Sequence, residues 1–300
     1  MRCWVSSRRD SARSDTAVLI AIISSATTTG TRTAKDDNTF GQPVMPVFTA
    51  SDSAPAASWR QWGRKGTGGE AKGDSFKGIE NLVGSRFNDV LCGDDNANRL
   101  TGGDGDDTLV SYGGNDVLVG GAGADTLDGG EGDRDVADYS GAKDGIVVDL
   151  LKGGFAGDAS GDFYKGIEFV YGSSSDDKIF GDDAINRLVG NAGDVALEGR
   201  GGNDYLLGGA SSDTMTGGKG QDVFVFEKGS FGNDVIMDFE AGAGRTGRIQ
   251  QIGQGVGSFE ELLSRAGDTG DGIILKLDGG NIILSGLKLE QLHGGDFLFL

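Results

Sequence analysis

The chain has 300 residues, room for one large or two ordinary domains, and carries 46 acidic against 27 basic side chains for a net charge of −19. Acidity on this scale argues against nucleic acid and anionic membrane as partners and in favour of cations. The only cysteines, Cys3 and Cys92, leave no disulfide framework to staple the fold.

The imbalance is uneven along the chain. Residues 1–72 hold 10 basic and 6 acidic side chains, whereas residues 73–300 hold 17 and 40. All three prolines and all three tryptophans also fall within 1–72, so this stretch reads as a disordered or atypical leader. Its apolar run Ala17–Ile23, behind several arginines, is short for a signal-peptide core. No run anywhere approaches the roughly 18 apolar residues of a membrane span, so no stable span is expected.

From Gly84 a nine-residue period takes over. The first block reads GSRFNDVLC, GDDNANRLT, GGDGDDTLV, SYGGNDVLV, GGAGADTLD and GGEGDRDVA; the second, from Gly172, reads GSSSDDKIF, GDDAINRLV, GNAGDVALE, GRGGNDYLL, GGASSDTMT and GGKGQDVFV. Position eight is apolar in all twelve units, from Leu91 to Val136 and from Ile179 to Phe224. The three residues after position six read as a short strand whose middle side chain points inward, because strand side chains alternate. Two nonamers then make one coil turn, and units 18 residues apart stack on the same side. The expected fold is all-β: two parallel β-rolls, over 73–140 and 172–226, joined by linking strands and a second lead-in (141–171) and closed by a β-rich cap (227–300).

Glycines at positions one, two and four let the backbone take positive φ and bring carbonyls toward a common point. Position six supplies oxygen-bearing side chains: Asp89, Asn98, Asp107, Asp116, Asp125, Asp177, Asn186, Asp204, Asp213 and Asp222. In the sixth unit of the first block a one-residue insertion puts Asp135 there instead of Arg134. Hard oxygen ligands in number on a flexible backbone suit calcium better than magnesium, which requires near-ideal octahedra. Carbonyls of the glycine-rich turns, such as Gly102, Gly103, Gly105, Gly120, Gly121, Gly123, Gly217, Gly218 and Gly220, are the expected backbone ligands. Val195 stands at position six without an oxygen, so the second block should hold calcium less fully than the first.

The two blocks are copies. Residues 73–102 align with 161–190 at an offset of 88, with 16 of 30 positions identical, and each begins with a lead-in of the form GD-x-x-KGIE. Between the blocks, Ile146–Leu151 predicts strand rather than helix. Toward the C-terminus, Ser258 and Glu261 form a capping box before a short helix. Ile273–Leu277 and Ile282–Leu284 flank the turn DGGN as a hairpin.

The nonamer resembles that of the RTX (repeats-in-toxin, haemolysin-type calcium-binding) family, whose pattern is GGxGxDx-apolar-x. GGAGADTLD at 120–128 matches it at every fixed position. DVFVFEKGSFGNDVIMDFEAGAG (222–244) and the ending GGDFLFL (294–300) are similar to the C-terminal cap and secretion region of serralysin-type members. The resemblance implies a secreted, extracellular protein that leaves unfolded through a type I exporter by an uncleaved C-terminal signal and folds on calcium. A structural or adhesive role, with a cell-surface or polysaccharide ligand, is one reading. The alternative is the non-catalytic C-terminal part of a larger toxin, metalloprotease, lipase or alginate epimerase.

Catalytic signatures are missing from the sequence. The single histidine, His293, cannot furnish an HExxH zinc helix, and no GxSxG elbow occurs for a serine triad. Glu80 and Glu168 recur in the lead-ins, where duplication favours a structural role.

Overall fold

The computed structural model describes residues 47–49, 58–60, 80–227, 229, 231–242, 247–251 and 255–299. The apolar run 17–23, nearly all of the leader and most of the first lead-in lie outside the described residues.

Strands of three to six residues alternate along the chain between two faces of a flattened coil. One face is a single eleven-stranded parallel sheet. It runs through Val47–Thr49, Asn81–Val83, Arg99–Asp104, Val117–Ala122, Val136–Asp138, Phe169–Tyr171, Arg187–Val189, Tyr205–Leu207, Val223–Phe226, Arg248–Gln251 and Phe297–Phe299. The strand that ends the first block, Val136–Asp138, pairs directly with Phe169–Tyr171, which opens the second. The two repeat blocks therefore share one unbroken sheet.

The other face is divided. Ser58–Arg60, Val90–Cys92, Thr108–Val110, Thr126–Asp128 and Phe163–Lys165 form a five-stranded parallel sheet. Nine further strands, from Val147–Asp149 through Lys178–Phe180, Ala196–Gly201, Thr214–Lys219 and Gly232–Ile236 to the C-terminal hairpin, form the remaining sheet. At the break, Gly153–Ala156 turns back antiparallel on Val147–Asp149.

Register follows the expected 18-residue offset. Leu82, Leu100 and Leu118 are aligned partners in one sheet, and Leu91, Leu109 and Leu127 in the other. All six are buried, because period-two alternation turns the middle residue of each strand inward. The insertion in the sixth unit appears in the pairing: Leu118 aligns with Ala137, 19 residues on. Ala137, and not the position-eight residue Val136, is thus the inward step there, although both are buried. In the second block, Leu188, Leu206 and Phe224 continue the ladder of the eleven-stranded sheet, and Ile179, Leu197 and Met215 form that of the nine-stranded one.

The C-terminal region closes both sheets. The helix Phe259–Arg265 begins at Ser258, whose side chain accepts the Glu261 N–H. Glu261 in turn accepts from Gly257 N–H, one residue earlier than a regular capping box. The strands Gly272–Lys276 and Gly280–Ser285 form the expected hairpin, its second strand parallel to Gly232–Ile236. Phe297–Phe299 is the last strand of the eleven-stranded sheet. No helix among the described residues is long and apolar enough to cross a membrane.

Candidate metal centre

Turns connecting the two faces stack in two columns, and position six ties each column together. Asp107 Oδ1 accepts the backbone N–H of Asp89 at 2.7 Å, and Asp125 Oδ1 that of Asp107 at 2.7 Å. In the other column Asp116 Oδ1 accepts from Asn98 N–H and Asp135 Oδ1 from Asp116 N–H, at 2.7 and 2.8 Å. The second block repeats the arrangement: Asp204 accepts from Asn186, Asp222 from Asp204 and Asp213 from Val195. Each such side chain satisfies a buried donor one coil turn away, which such groups require. All eleven position-six residues singled out in the sequence are buried.

The second carboxylate oxygen is the informative one. In Asp107, Asp116, Asp125, Asp135, Asp204 and Asp213, Oδ2 is buried with no hydrogen-bond partner among the described residues. Position one explains where it points. A Cβ built on Gly102 would run into Asp107 Oδ2 and the Gly120 carbonyl oxygen; one on Gly199 would meet Asp204 Oδ2 and the Gly217 carbonyl. Carboxylate and carbonyl oxygens thus converge in a slot beside a position-one residue that lacks a side chain, except in the unit of Asp116, which begins with Ser111.

The first two units of each block differ. Asp89 Oδ2 accepts from Ser85 N–H and Asp177 Oδ2 from Ser173 N–H, both at 2.6 Å; Asn98 and Asn186 likewise take the N–H of Asp94 and Asp182 with Oδ1. Serine or aspartate at position two therefore engages the oxygen internally. Glycine at position two turns its backbone to positive φ, as at Gly103 (+118°) and Gly121 (+103°), and leaves the oxygen free for another partner.

Burial of unneutralised carboxylates shifts their titration. Burial raises Asp107 to about 8; the Asp89 N–H pulls it back, and the charges of Asp125, Asp89 and Asp106 push it up again. Burial likewise takes Asp125, Asp135, Asp204 and Asp213 to about 7. Asp116, Asp177 and Asp222 are raised by the same cause. Such groups require a proton or a cation.

Three acceptors lie outside the counted repeat. Asp162 Oδ1 takes the Asp125 N–H at 2.8 Å, Glu168 Oε2 that of Asp135 at 3.0 Å, and Asp234 Oδ1 that of Asp213 at 2.9 Å. They extend the columns past the point where the nine-residue spacing breaks. At Asp162 the other oxygen accepts from the Tyr139 hydroxyl at 2.5 Å, itself 2.6 Å from the Tyr164 hydroxyl. Val195, by contrast, presents methyl groups beside Gly190, so that slot has no carboxylate.

Among the described residues no three His, Cys, Asp or Glu side chains gather as a metal cluster. A cation in these slots would therefore draw on one or two carboxylates and otherwise on backbone carbonyls, a set that suits calcium. Residues 75–109, 110–133, 165–197, 180–215 and 196–224 match the RTX calcium-binding nonapeptide repeat family. The chain carries RTX calcium-binding repeats. Among solved structures, the extracellular lipase LipA from Serratia marcescens is similar over 73% of this chain at 21% identity and a TM-score of 0.34. This chain spans 39% of that lipase's length. No curated protein matches it.

Proposed function

We propose that calcium entering the slots of the RTX repeats completes the fold, and that the chain is a secreted structural or adhesive module that orders only outside the cell. The observation carrying this reading is the set of six buried Oδ2 atoms lacking a hydrogen-bond partner among the described residues, five of them beside a position-one glycine and the sixth, that of Asp116, in the unit that begins with Ser111. A buried, unpaired carboxylate opposes folding. Each nonamer turns one apolar side chain inward, little burial for nine ordered residues. Calcium bound only by the stacked turns would remove the repulsion and link metal concentration to stability.

Four of these atoms belong to the first block and two to the second, in keeping with fuller occupancy of the first. The metal set would comprise Asp107, Asp116, Asp125, Asp135, Asp204 and Asp213, with the position-one carbonyls beside them. Extracellular calcium modules bind at about 10⁻⁴–10⁻³ M, well above cytosolic levels, which suits passage of an unfolded chain through a type I exporter using the C-terminal region. Circular dichroism of the full chain should pass from coil to β as calcium rises through that range, and magnesium should not replace it. A chain already fully β-structured in chelator would overturn the reading.

A further inference from the structure

Arg200 departs from the repeat with a chemical consequence. It stands at position two of its nonamer, a position that glycine holds in five of the twelve units, and itself adopts φ +76°. A residue with a Cβ seldom adopts this left-handed backbone, so something at the site must hold it there. Nη1 and Nη2 donate to Asp149 Oδ1 and Oδ2 at 2.8 and 2.7 Å, and Nη1 also donates to the Gly181 carbonyl at 2.7 Å. Asp149 is buried, and the Arg200 side chain is only 17% exposed. The guanidinium lies 5.6 Å from the centre of the Phe180 ring, with Glu198 3.9 Å from Nε.

The partners of this guanidinium are of the same kind as those forming the slots. Gly181 is a position-one glycine, like Gly120 and Gly217, whose carbonyls approach Asp107 Oδ2 and Asp204 Oδ2. Asp149 lies in the coil turn before it, since Asp149 is the aligned partner of Phe180. A carboxylate from one turn and the position-one carbonyl of the next thus meet here on a guanidinium. We propose that Arg200 is a tethered cation that takes the place of calcium at the junction of the two blocks, so that this slot is neutralised by the chain itself. The inference rests on the reading of the other slots as calcium sites. Asn191 offers an uncharged analogue: it too stands at position two with φ +74°, and its Nδ2 donates to the Gly172 carbonyl at 2.7 Å.

Asp149 Oδ1 also accepts from the Leu151 and Lys152 N–H groups, and the exposed Lys152 Nζ lies 3.4 Å from Oδ2. Arg200→Gly places glycine at positions one and two, relieves the backbone, and removes the guanidinium from Asp149 and the Gly181 carbonyl together. In equilibrium dialysis of the full chain against calcium, this variant should bind one ion more than the wild type. The double variant Asp149→Asn/Arg200→Gly should lose that ion again. An unchanged ion count in Arg200→Gly, where the wild type binds calcium, overturns the proposal while leaving the slot reading intact. A wild type that binds no calcium overturns the slot reading as well. If Arg200→Gly cannot fold even in saturating calcium, metal does not replace the guanidinium and the proposal falls. An extra ion that persists in the double variant would also refute the assignment to Asp149.

Discussion

Asp89 and Asp107 are joined across one full turn of the coil: the Asp89 N–H donates to Asp107 Oδ1 at 2.7 Å, while Asp107 Oδ2 remains buried without a hydrogen-bond partner among the described residues. One carboxylate thus holds the turns in register with one oxygen and offers the other to a cation. The Asp107→Asn variant separates the two roles, because an amide oxygen still accepts the N–H but carries no charge. It should fold in saturating calcium, bind at least one ion fewer, and need roughly ten- to a hundredfold more calcium. That factor follows from about 1.5–3 kcal/mol for an interaction with a charged group and about 1.4 kcal/mol per decade. Asp177, whose oxygens already accept from Ser173 N–H and Oγ, provides the comparison: Asp177→Asn should keep the full ion count. Equal losses of bound calcium in the two variants would exclude this division of labour.

Without metal, acid should act in place of calcium. Burial raises Asp107 to about 8 and Asp125, Asp135, Asp204 and Asp213 to about 7, all above the ordinary 3.8. A carboxylate raised by folding contributes stability that is present in full below its unfolded value and is lost as pH rises through the folded one. Asp138 and Asp149 go the other way. Burial works to raise them, but hydrogen bonds and charge from Ser140 and Arg99, and from Arg200 and Leu151, outweigh it. Their contribution disappears only below the ordinary value. In chelator, β-structure seen by circular dichroism should therefore fall as pH rises from about 4 to about 8, and in saturating calcium the profile should flatten. Rising β-content over the same interval in chelator would contradict the titration argument.

Most of the coil was legible because its geometry repeats faster than sequence drifts. An apolar residue every ninth position dictated the inward ladders, and the misfit of Arg134 revealed the insertion that puts Asp135 in line with Asp116. What escaped was whatever depends on stacking after the period fails. Asp162, Glu168 and Asp234 lie 37, 33 and 21 residues from the N–H groups they accept, distances fixed by the path of the intervening loops. The continuity of one sheet through both blocks is hidden for the same reason: Ala137 and Val170 are paired across 33 residues containing the antiparallel excursion. Arg200 reads in sequence as a mere substitution for glycine, because its partner Asp149 is 51 residues away.

Val195 is the one position-six residue in the two blocks, once the insertion at Asp135 is allowed for, that brings no side-chain oxygen. Its N–H still donates to Asp213 Oδ1 at 2.9 Å, so the column is in register and only the ligand is missing. Gly190 and the Gly208 carbonyl are already arranged beside its methyl groups as Gly102 and the Gly120 carbonyl are beside Asp107. Val195→Asp should accordingly add one bound calcium per chain and lower the calcium needed for folding, while making the chain less ordered in chelator. Calorimetric titration measures the count directly. A count equal to wild type, with the variant folded, would mean that position six does not by itself decide occupancy.

The C-terminal region has two proposed roles, as a cap on the coil and as an export signal, and deletion cannot separate them. Removing residues 241–300 strips the last two strands, Arg248–Gln251 and Phe297–Phe299, from the eleven-stranded sheet and the hairpin from the other, exposing both edges. A core substitution can separate them. Leu284 is buried in the hairpin strand Gly280–Ser285, aligned with Ile236 on one side and Ile273 on the other. Leu284→Ala should cost about 2–5 kcal/mol of folded stability and raise the calcium midpoint accordingly. If the chain is exported unfolded and read as a linear signal, the same substitution should leave the secreted fraction at its wild-type level while deletion abolishes it. The two readouts, midpoint in vitro and secreted fraction from cells, are then uncoupled. Export failing in Leu284→Ala as completely as in the deletion would show instead that the folded cap is what the exporter recognises, and that folding precedes passage.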